Sequence, residues 1–114
     1  MVECIFCQIV NGQARAQIVY RDDSVIGFKD INPRAPLHLL LIPRKHISTL
    51  LELETADEQL VGHVFSVSSG LARDHGVAET GFRVVVNCGP GAGQSVYHIH
   101  FHLLGGRSFV WPPG

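Results

Sequence analysis

The segment from His98 to Leu104 restricts the fold more than any other part of the chain. It reads His-Ile-His-Phe-His-Leu-Leu, so a histidine stands at every second position. Side chains of a β-strand point to alternate faces, and the three histidines would therefore share one face while the apolar residues between them point to the other. The pattern predicts a strand over Tyr97–Leu104 with one buried apolar face and one face of imidazoles.

The rest of the chain predicts four further strands. The third of them, an apolar run that follows His38 and stops at Pro43, is typical of a strand covered on both faces. The first two flank a short turn and form a hairpin. In chain order the four are Gln17–Tyr20, Ser24–Lys29, Leu39–Ile42 and Phe82–Asn87.

Two helices complete the predicted elements. Apolar residues at helical spacing indicate a short helix over Ile5–Asn11 that stops at Gly12. The segment Thr55-Ala56-Asp57-Glu58 is interpreted as a capping box at the start of a long helix that ends at Gly76. The order of elements predicts an α+β domain, with a mostly antiparallel five-stranded sheet, one long helix and one short helix.

Composition narrows the function classes. The 114 residues suit one domain over 1–114, and 46% hydrophobic with 17% charged residues indicates a globular chain. A net charge of -1 gives no reason to expect nucleic acid as a partner. No apolar run is long enough to span a membrane, and the acidic Glu3 is unlike the start of a signal peptide. We therefore expect a cytoplasmic protein without a membrane partner.

Three imidazoles on one strand face indicate a chemical site rather than core packing. Each buried ring would need hydrogen-bond partners, whereas a neutral imidazole serves as a nucleophile, an acid or base, or a metal ligand. Just upstream, the glycine-rich loop Gly89–Gly93 lets backbone amides approach a phosphate, and Ser95 adds a hydroxyl. His38 could bring a fourth imidazole. A tri-histidine metal site of the kind that zinc hydrolases use is the alternative interpretation.

The segment from His98 to Leu104 also matches the signature of the histidine-triad (HIT) family. The similarity covers nearly the whole chain, and it resembles the Hint branch, the histidine-triad nucleotide-binding proteins. This resemblance implies a HIT-like fold and a homodimeric purine-nucleoside phosphoramidate hydrolase, with AMP or GMP as the nucleotide part of its substrate. The segments that carry it, besides the triad, are Phe6 with Ile9, Phe28–Ile31, Ala35–His38, Ile42–Ser48, Val86-Asn87, Gly93–Tyr97 and Trp111–Gly114.

The resemblance also implies a division of catalytic roles. His100 would attack the α-phosphorus of the nucleotide, and water would hydrolyse the resulting nucleotidyl-histidine. His102 and His38 would hold the phosphate oxygens. His98 would orient the triad, and Ser95 would lie beside the leaving amine.

Nucleotide-binding roles follow from the same resemblance. Asp30 would bind the ribose hydroxyls, with Asn87 near the ribose and phosphate. Gly93 and Gln94 would contribute from the loop. Trp111 would approach the site of the other subunit and help to select the leaving group. The base pocket would be lined by Phe6, Ile9, Phe28, Ile31 and Leu40.

The pair Cys4-x-x-Cys7 leaves several interpretations open, because it could be a metal half-site, a redox pair or two apolar side chains. In related bacterial proteins and in the galactose-1-phosphate uridylyltransferases, two such cysteines bind zinc with two histidines. By this resemblance a structural zinc site would consist of Cys4, Cys7, His46 and His98, which is a sensible Cys₂His₂ set. Catalysis itself would require no cofactor.

Two other functions compete with phosphoramidate hydrolysis. A dinucleoside polyphosphate hydrolase of the Fhit type would use the same nucleophile, but Gly93–Tyr97 and the Trp-Pro-Pro-Gly ending argue against it. A nucleotide-binding regulatory protein with incidental activity is not excluded by any residue.

Overall fold

The computed structural model describes residues 4–114, and within this range two α-helices and five β-strands form an α+β domain. Short 3₁₀ turns at Leu50–Glu52, Thr55–Asp57 and Pro90–Ala92 connect some of them. In chain order the main elements are α1 (Ile5–Val10), β1 (Ile18–Arg21), β2 (Val25–Lys29), β3 (Leu37–Pro43), α2 (Glu58–Asp74), β4 (Phe82–Val86) and β5 (Phe101–Gly105). The fold class expected from the sequence is confirmed.

The five strands form a single sheet in the order β1-β2-β3-β5-β4, and every neighbouring pair is antiparallel. The central strand β3 lies between β2 and β5. Its side chains are covered on both faces, as its sequence predicts, because Leu39 and Leu41 belong to the apolar cluster with α2 and Leu40 and Ile42 to the cluster with α1. Strand β4 lies at one edge, and its five residues are all half-buried. The register places Leu40 of β3 opposite His102 of β5.

The sheet separates two apolar clusters. Helix α2 covers one face, where it packs Val64, Val67 and Leu71 against Phe101 and Leu103 of β5. The short helix α1 covers part of the other face, and its Phe6 and Ile9 pack against Phe28, Leu40 and other residues of β2 and β3. The three histidines of the triad lie on the α1 side, because the apolar residues that alternate with them fill the α2 side.

The start of α2 differs from the sequence prediction. The prediction of a capping box at Thr55–Glu58 is wrong, because the segment Thr55–Asp57 is a 3₁₀ turn and the α-helix begins only at Glu58. The observed contact lies one residue earlier than the predicted one between Glu58 and Thr55: one oxygen of the Asp57 carboxylate accepts from the Glu54 amide at 3.0 Å. Its other oxygen accepts from the Lys45 ammonium at 2.7 Å, which ties the helix start to the segment after β3.

The end of α2 agrees with the prediction. Gly76 has φ +76°, and its amide donates to the Arg73 carbonyl while the Val77 amide donates to the Ala72 carbonyl. These two hydrogen bonds are a Schellman motif, in which a left-handed residue is needed and glycine adopts that conformation without a Cβ penalty.

The last strand is shorter than predicted. It begins at Phe101 and ends at Gly105, so His98 and His100 precede it, whereas the sequence predicted a strand over Tyr97–Leu104. Before Phe101 the chain leaves its pairing with β3, and the Ile99 amide donates to the Ile47 carbonyl instead. The strand predicted over Leu39–Ile42 is longer than expected and takes in His38 and Pro43.

Within residues 4–114, no helix has both the length and the apolar composition needed to cross a bilayer.

Candidate active site

A cavity of about 440 Å³ opens on the face of the sheet that α1 covers in part. Its volume lies in the range of small-molecule sites. One part of the lining is apolar and another carries polar groups. The residues around it are Ile5, Phe6, Ile9, Arg15, Ala16, Phe28, Lys29, Asp30, Ile31, Leu40, Ser95, Val96, His100 and His102.

The cavity brings together all five residues that the sequence analysis assigned to a base pocket. Phe6, Ile9, Phe28 and Leu40 are buried, and Phe6 packs edge-on against Phe28 with ring centroids 5.5 Å apart. Ile31 also lines the cavity but is 91% exposed at its rim. The arrangement offers an apolar slot between α1 and the sheet, of a kind that accepts a flat ring.

His100 lies at the polar end of the cavity with its ring orientation fixed by main chain. Its Nδ1 is 2.9 Å from the His98 carbonyl oxygen, so Nδ1 carries the proton and donates. The Nε2 atom then holds the lone pair. Phe6 packs edge-on against the ring at 5.2 Å and keeps it from rotating. His100 is therefore prepared as a nucleophile or as a base at a single nitrogen.

His38 and His102 form a hydrogen-bonded pair whose direction is also set by main chain. The Arg34 amide donates to Nδ1 of His38 at 3.0 Å, so the proton of the His38 ring is on Nε2. That Nε2–H donates to Nδ1 of His102 at 2.9 Å, with an Asp30 carboxylate oxygen at 3.3 Å from the same nitrogen. His102 accordingly has its proton on Nε2, where it can donate to an anion.

Both rings of this pair are neutral at pH 7. Burial, reinforced by the nearby rings of His100 and His38, lowers the pKa of His102 to about 4. Burial also lowers the pKa of His38, and the Asp30 carboxylate opposes that shift only in part. Of the residues that the structure describes, His102 lines the cavity and His38 does not. His38 therefore contacts His102 on the side of the ring that faces away from the cavity.

The third triad residue belongs to a different site. His98 is fully buried, and its Nε2–H donates to the Pro43 carbonyl at 2.8 Å, which leaves the lone pair on Nδ1. That Nδ1 lies 3.5 Å from the sulfurs of both Cys4 and Cys7 and 3.2 Å from Nδ1 of His46. The His46 nitrogen is 3.2 Å from the Cys7 sulfur. Four donor atoms thus point at one common centre.

These separations fit a tetrahedral zinc ion. Ligand bonds of ordinary zinc length would place nitrogens about 3.3 Å apart and nitrogen and sulfur about 3.6 Å apart. The hydrogen bond to Pro43 is the kind of outer contact that fixes the tautomer of a metal-binding histidine. Burial, together with the neighbouring Cys4 sulfur, raises the pKa of the Cys7 thiol, so its thiolate form would need a nearby cation to be favoured.

A second group of potential ligands, Asp30, His38 and His102, has the opposite character. A metal would need the lone pair of His38 at Nε2, but the Arg34 amide already uses the lone pair at Nδ1 and so keeps the proton on Nε2. The hydrogen bond to Pro43 therefore leaves the lone pair of His98 directed at the first group, where a cation would use it. The hydrogen bonds of the second group instead leave a proton on His102 for an anion.

The loop before the triad is organised by its own side chains. Gln94 is buried; its oxygen accepts from the Gly89 amide and its nitrogen donates to the Ser48 and Val96 carbonyls. Asn87 donates to the Ala92 carbonyl at 2.9 Å. Gly93 adopts φ +82° at the end of the 3₁₀ turn. In the described part of the chain, Asn87, Gly93 and Gln94 do not line the cavity, whereas Ser95 does. The hydrogen bonds and backbone conformation of these three residues stabilise the loop instead.

Trp111 also lies away from the cavity of its own chain and is 85% exposed. The C-terminal tail that carries it is held by Arg83 of β4, whose guanidinium donates to the carbonyls of Val110 and Pro113. The tail therefore has a defined path along the edge of the sheet where β4 lies.

Sequence reasoning missed two cations near the cavity. Arg15 comes from the connection between α1 and β1, and Lys29 ends β2 beside Asp30. Neither has a motif of its own. Lys29 could have been noticed as the neighbour of Asp30, whereas Arg15 comes close only because α1 folds onto the sheet.

Comparisons with known proteins agree with this fold. A family model described as "Scavenger mRNA decapping enzyme C-term binding" matches residues 3–109. An uncharacterized HIT-like protein of Synechococcus elongatus is 46% identical over 112 residues, which cover 98% of this chain and 97% of that protein.

Solved structures give the same result. A HIT family hydrolase from Legionella pneumophila superposes with a TM-score of 0.96 at 46% identity, covering 98% of this chain and all of the other. A histidine triad nucleotide-binding protein from Candida albicans superposes with a TM-score of 0.83 at 29% identity, covering 96% of this chain and 83% of the other. The fold and the triad are those of a hydrolase class, and the chain belongs to the histidine-triad (HIT) family. It is a hydrolase-like member of that family.

The neutral state of His102 predicts how stability depends on pH. Below pH 6.5 the unfolded ring binds a proton that the folded ring does not bind until about pH 4, so the free energy of unfolding should fall as the pH falls through this window. Because the ring is partly exposed, solvent screening keeps the contribution of this ring below the roughly 3 kcal/mol that the full pKa shift would give. Urea unfolding of the parent and of His102→Gln, between pH 4 and 7.5, should show a shallower pH dependence in the variant.

His75, which is exposed at the end of α2, provides the control, and His75→Gln should keep the pH dependence of the parent. An equal slope in the parent and in His102→Gln would contradict the prediction.

Proposed function

We propose that this chain hydrolyses purine nucleoside 5′-phosphoramidates, such as adenosine 5′-phosphoramidate, through a nucleotidyl-histidine intermediate on His100. The observation that carries the proposal is the hydrogen bond from Nδ1 of His100 to the His98 carbonyl, which leaves the lone pair on Nε2 beside the cavity. A neutral imidazole with its lone pair directed at a substrate is a nucleophile at pH 7 without further activation.

In the first step, Nε2 of His100 would bond to the α-phosphorus as the P–N bond breaks, and the amine would leave with an added proton. Ser95 lines the same cavity and is the hydroxyl through which that proton could pass. In the second step a water molecule would attack phosphorus and release the nucleoside monophosphate and the free imidazole. Splitting one displacement into two in this way is the gain of covalent catalysis.

The developing charge on the phosphate oxygens needs donors that are already in place. His102 fits this role because its pair with His38 keeps the proton on Nε2. A preorganised donor of this kind typically contributes a factor of about 10² to 10³ in rate. His38 acts in this proposal through His102 rather than by touching the phosphate.

The remaining cavity suits a nucleoside. The apolar slot formed by Phe6, Ile9, Phe28 and Leu40 would take the base, and Asp30, which lines the same cavity, would accept from ribose hydroxyls. The nucleotide-binding HIT protein from Candida albicans, at 29% identity, supports this choice of ligand. We assign Trp111 a role in the site of a second subunit.

Turnover of adenosine 5′-phosphoramidate with and without excess chelator tests the proposal. The parent should release AMP in both conditions, and His100→Ala should lose at least about 10³-fold in rate because its nucleophile is absent. Mass spectrometry of rapidly quenched parent should find the nucleotidyl adduct on His100.

His75→Ala, which removes an exposed histidine outside the site, should keep the activity of the parent. If the parent is inert towards the phosphoramidate but cleaves dinucleoside polyphosphates, the second candidate replaces the first. Inertness towards both substrates would leave a nucleotide-binding regulatory role.

We further propose that Cys4, Cys7, His46 and His98 bind one structural zinc ion per chain. The ion would fix the ring of His98, and the same residue supplies the carbonyl that orients His100. Because Cys4 caps α1, the ion would also join this helix to the end of β3. Zinc would act on catalysis only through this support.

Metal analysis of the purified protein should find one zinc per chain in the parent. Cys7→Ser should contain much less zinc and should unfold at a lower temperature, since an ion that binds only the folded state stabilises it. Cys88→Ser is the matched control, because Cys88 lies outside the cluster, and it should retain the metal. Equal zinc content in Cys7→Ser and the parent would refute the site.

The edge of the sheet supports a homodimer as the working form. Among residues 4–114, strand β4 has a neighbouring strand on one side only, and its apolar residues are half-buried. An unpaired apolar edge of this kind favours pairing with another strand. The exposed side chains of Val110 and Trp111 continue the same surface through the tail that Arg83 holds.

Sedimentation velocity at micromolar concentration should give the mass of two chains for the parent. Val85→Lys places a charge on the edge strand and should shift the protein towards the monomer. Leu51→Lys changes an exposed apolar residue of a 3₁₀ turn and should remain dimeric. A monomeric parent would overturn the proposal.

A further inference from the structure

The C-terminal tail is attached to the rest of the domain by Arg107, two residues after β5. Its Nε–H donates to the Arg34 carbonyl at 2.8 Å, and a terminal nitrogen donates to the Ser108 carbonyl at 3.1 Å. The guanidinium also lies over the Phe109 ring, 4.3 Å from its centroid. One side chain therefore joins the start of the tail to the segment between β2 and β3.

Gly106 makes a second contact between the same two segments. It has φ +88°, and a Cβ at this position would lie 3.0 Å from the Pro36 side chain. The base of the tail is thus packed directly against the connector Asn32–Pro36. Pro33 and Pro36 restrict the residues on either side of Arg34, namely Pro33 itself and Ala35. A hydrogen bond to the Arg34 carbonyl therefore also restrains the Arg34 amide, which is joined to that carbonyl through Cα.

The amide of Arg34 determines which of two tautomeric arrangements the His38–His102 pair adopts. A hydrogen bond between His38 and His102 could run in either direction. If His38 carried its proton on Nδ1, its Nε2 would accept from His102, and the lone pair of His102 would face the cavity. Donation by the Arg34 amide to Nδ1 of His38 at 3.0 Å excludes that arrangement.

We propose that Arg107 is a positioning residue for the triad. By binding the Arg34 carbonyl it holds the Arg34 main chain in place, so that His102 presents a proton to the cavity. The path runs from the Arg107 guanidinium to the Arg34 main chain, from the Arg34 amide to His38, and from His38 to His102. Each link is a hydrogen bond between 2.8 and 3.0 Å. The Asp30 carboxylate favours the same arrangement, so loss of Arg107 weakens the preference without abolishing it.

Tautomers of the imidazoles are read directly from ¹⁵N-detected spectra of protein labelled in its histidine rings, at pH 7.5 without substrate. The parent should show His102 with its proton on Nε2. Arg107→Ala should show a measurable share of the other tautomer at His102 and His38, and this share should grow in an Asp30→Asn background. Arg107→Lys should lie between the parent and Arg107→Ala, because its ammonium can still donate to one carbonyl.

Arg83→Ala is the matched control. Arg83 of β4 also donates to the tail and lies near the Phe109 ring, but its hydrogen bonds go to Val110 and Pro113 rather than to the connector. Its His102 signals should match those of the parent. Unchanged tautomers in Arg107→Ala, or an equal change in Arg83→Ala, would overturn the inference.

A kinetic measurement adds a second readout, which rests on the proposed function. With adenosine 5′-phosphoramidate, Arg107→Ala should lower kcat about 5-fold, as expected for a weakened hydrogen bond that acts in the transition state, and change KM less than about 2-fold. A rise in KM at constant kcat would contradict the role. If the parent has no activity, the proposed function fails, and the spectra still decide whether Arg107 positions the pair.

Discussion

The hydrogen bond between Nδ1 of His100 and the His98 carbonyl is the interaction on which the site depends. It joins the candidate nucleophile to a residue whose ring points the other way, into a cluster with two cysteines and His46. Two different chemical tasks are thereby carried by one short segment. Any movement of His98 would be transmitted directly to His100.

Main-chain groups decide which nitrogen of each ring carries its proton. The Pro43 carbonyl takes the proton of His98, the His98 carbonyl takes that of His100, and the Arg34 amide sets His38 and through it His102. Main chain is a more rigid support than side chain because the sheet and the prolines hold it. One residue type thus presents three different groups to its surroundings: the lone pair on Nδ1 of His98, the lone pair on Nε2 of His100, and the proton on Nε2 of His102.

Much of the fold could be predicted because it depends on local patterns. The apolar run of β3, the stripe of α2 and Gly76 at its end carry their own signals, and the structure agrees with them. The helix start was predicted wrongly because Asp57 is tied by Lys45, which lies twelve residues earlier and is invisible to a local rule. The last strand begins late because Ile99 pairs with Ile47 instead of continuing the ladder.

The sequence by itself determined that three imidazoles alternate with apolar side chains. It thereby determined that the apolar side chains of this segment, and not the imidazoles, pack on α2. It also placed two cysteines at a spacing that suits a metal. Tertiary structure decided the surroundings of each imidazole. It places His98 next to the two cysteines and His38 next to His102. It also brings the Arg34 main chain, to which Arg107 donates, into contact with His38. The physical reason is that a tautomer depends on the partner at the other ring nitrogen, and each partner here comes from a different part of the chain or from a main-chain carbonyl.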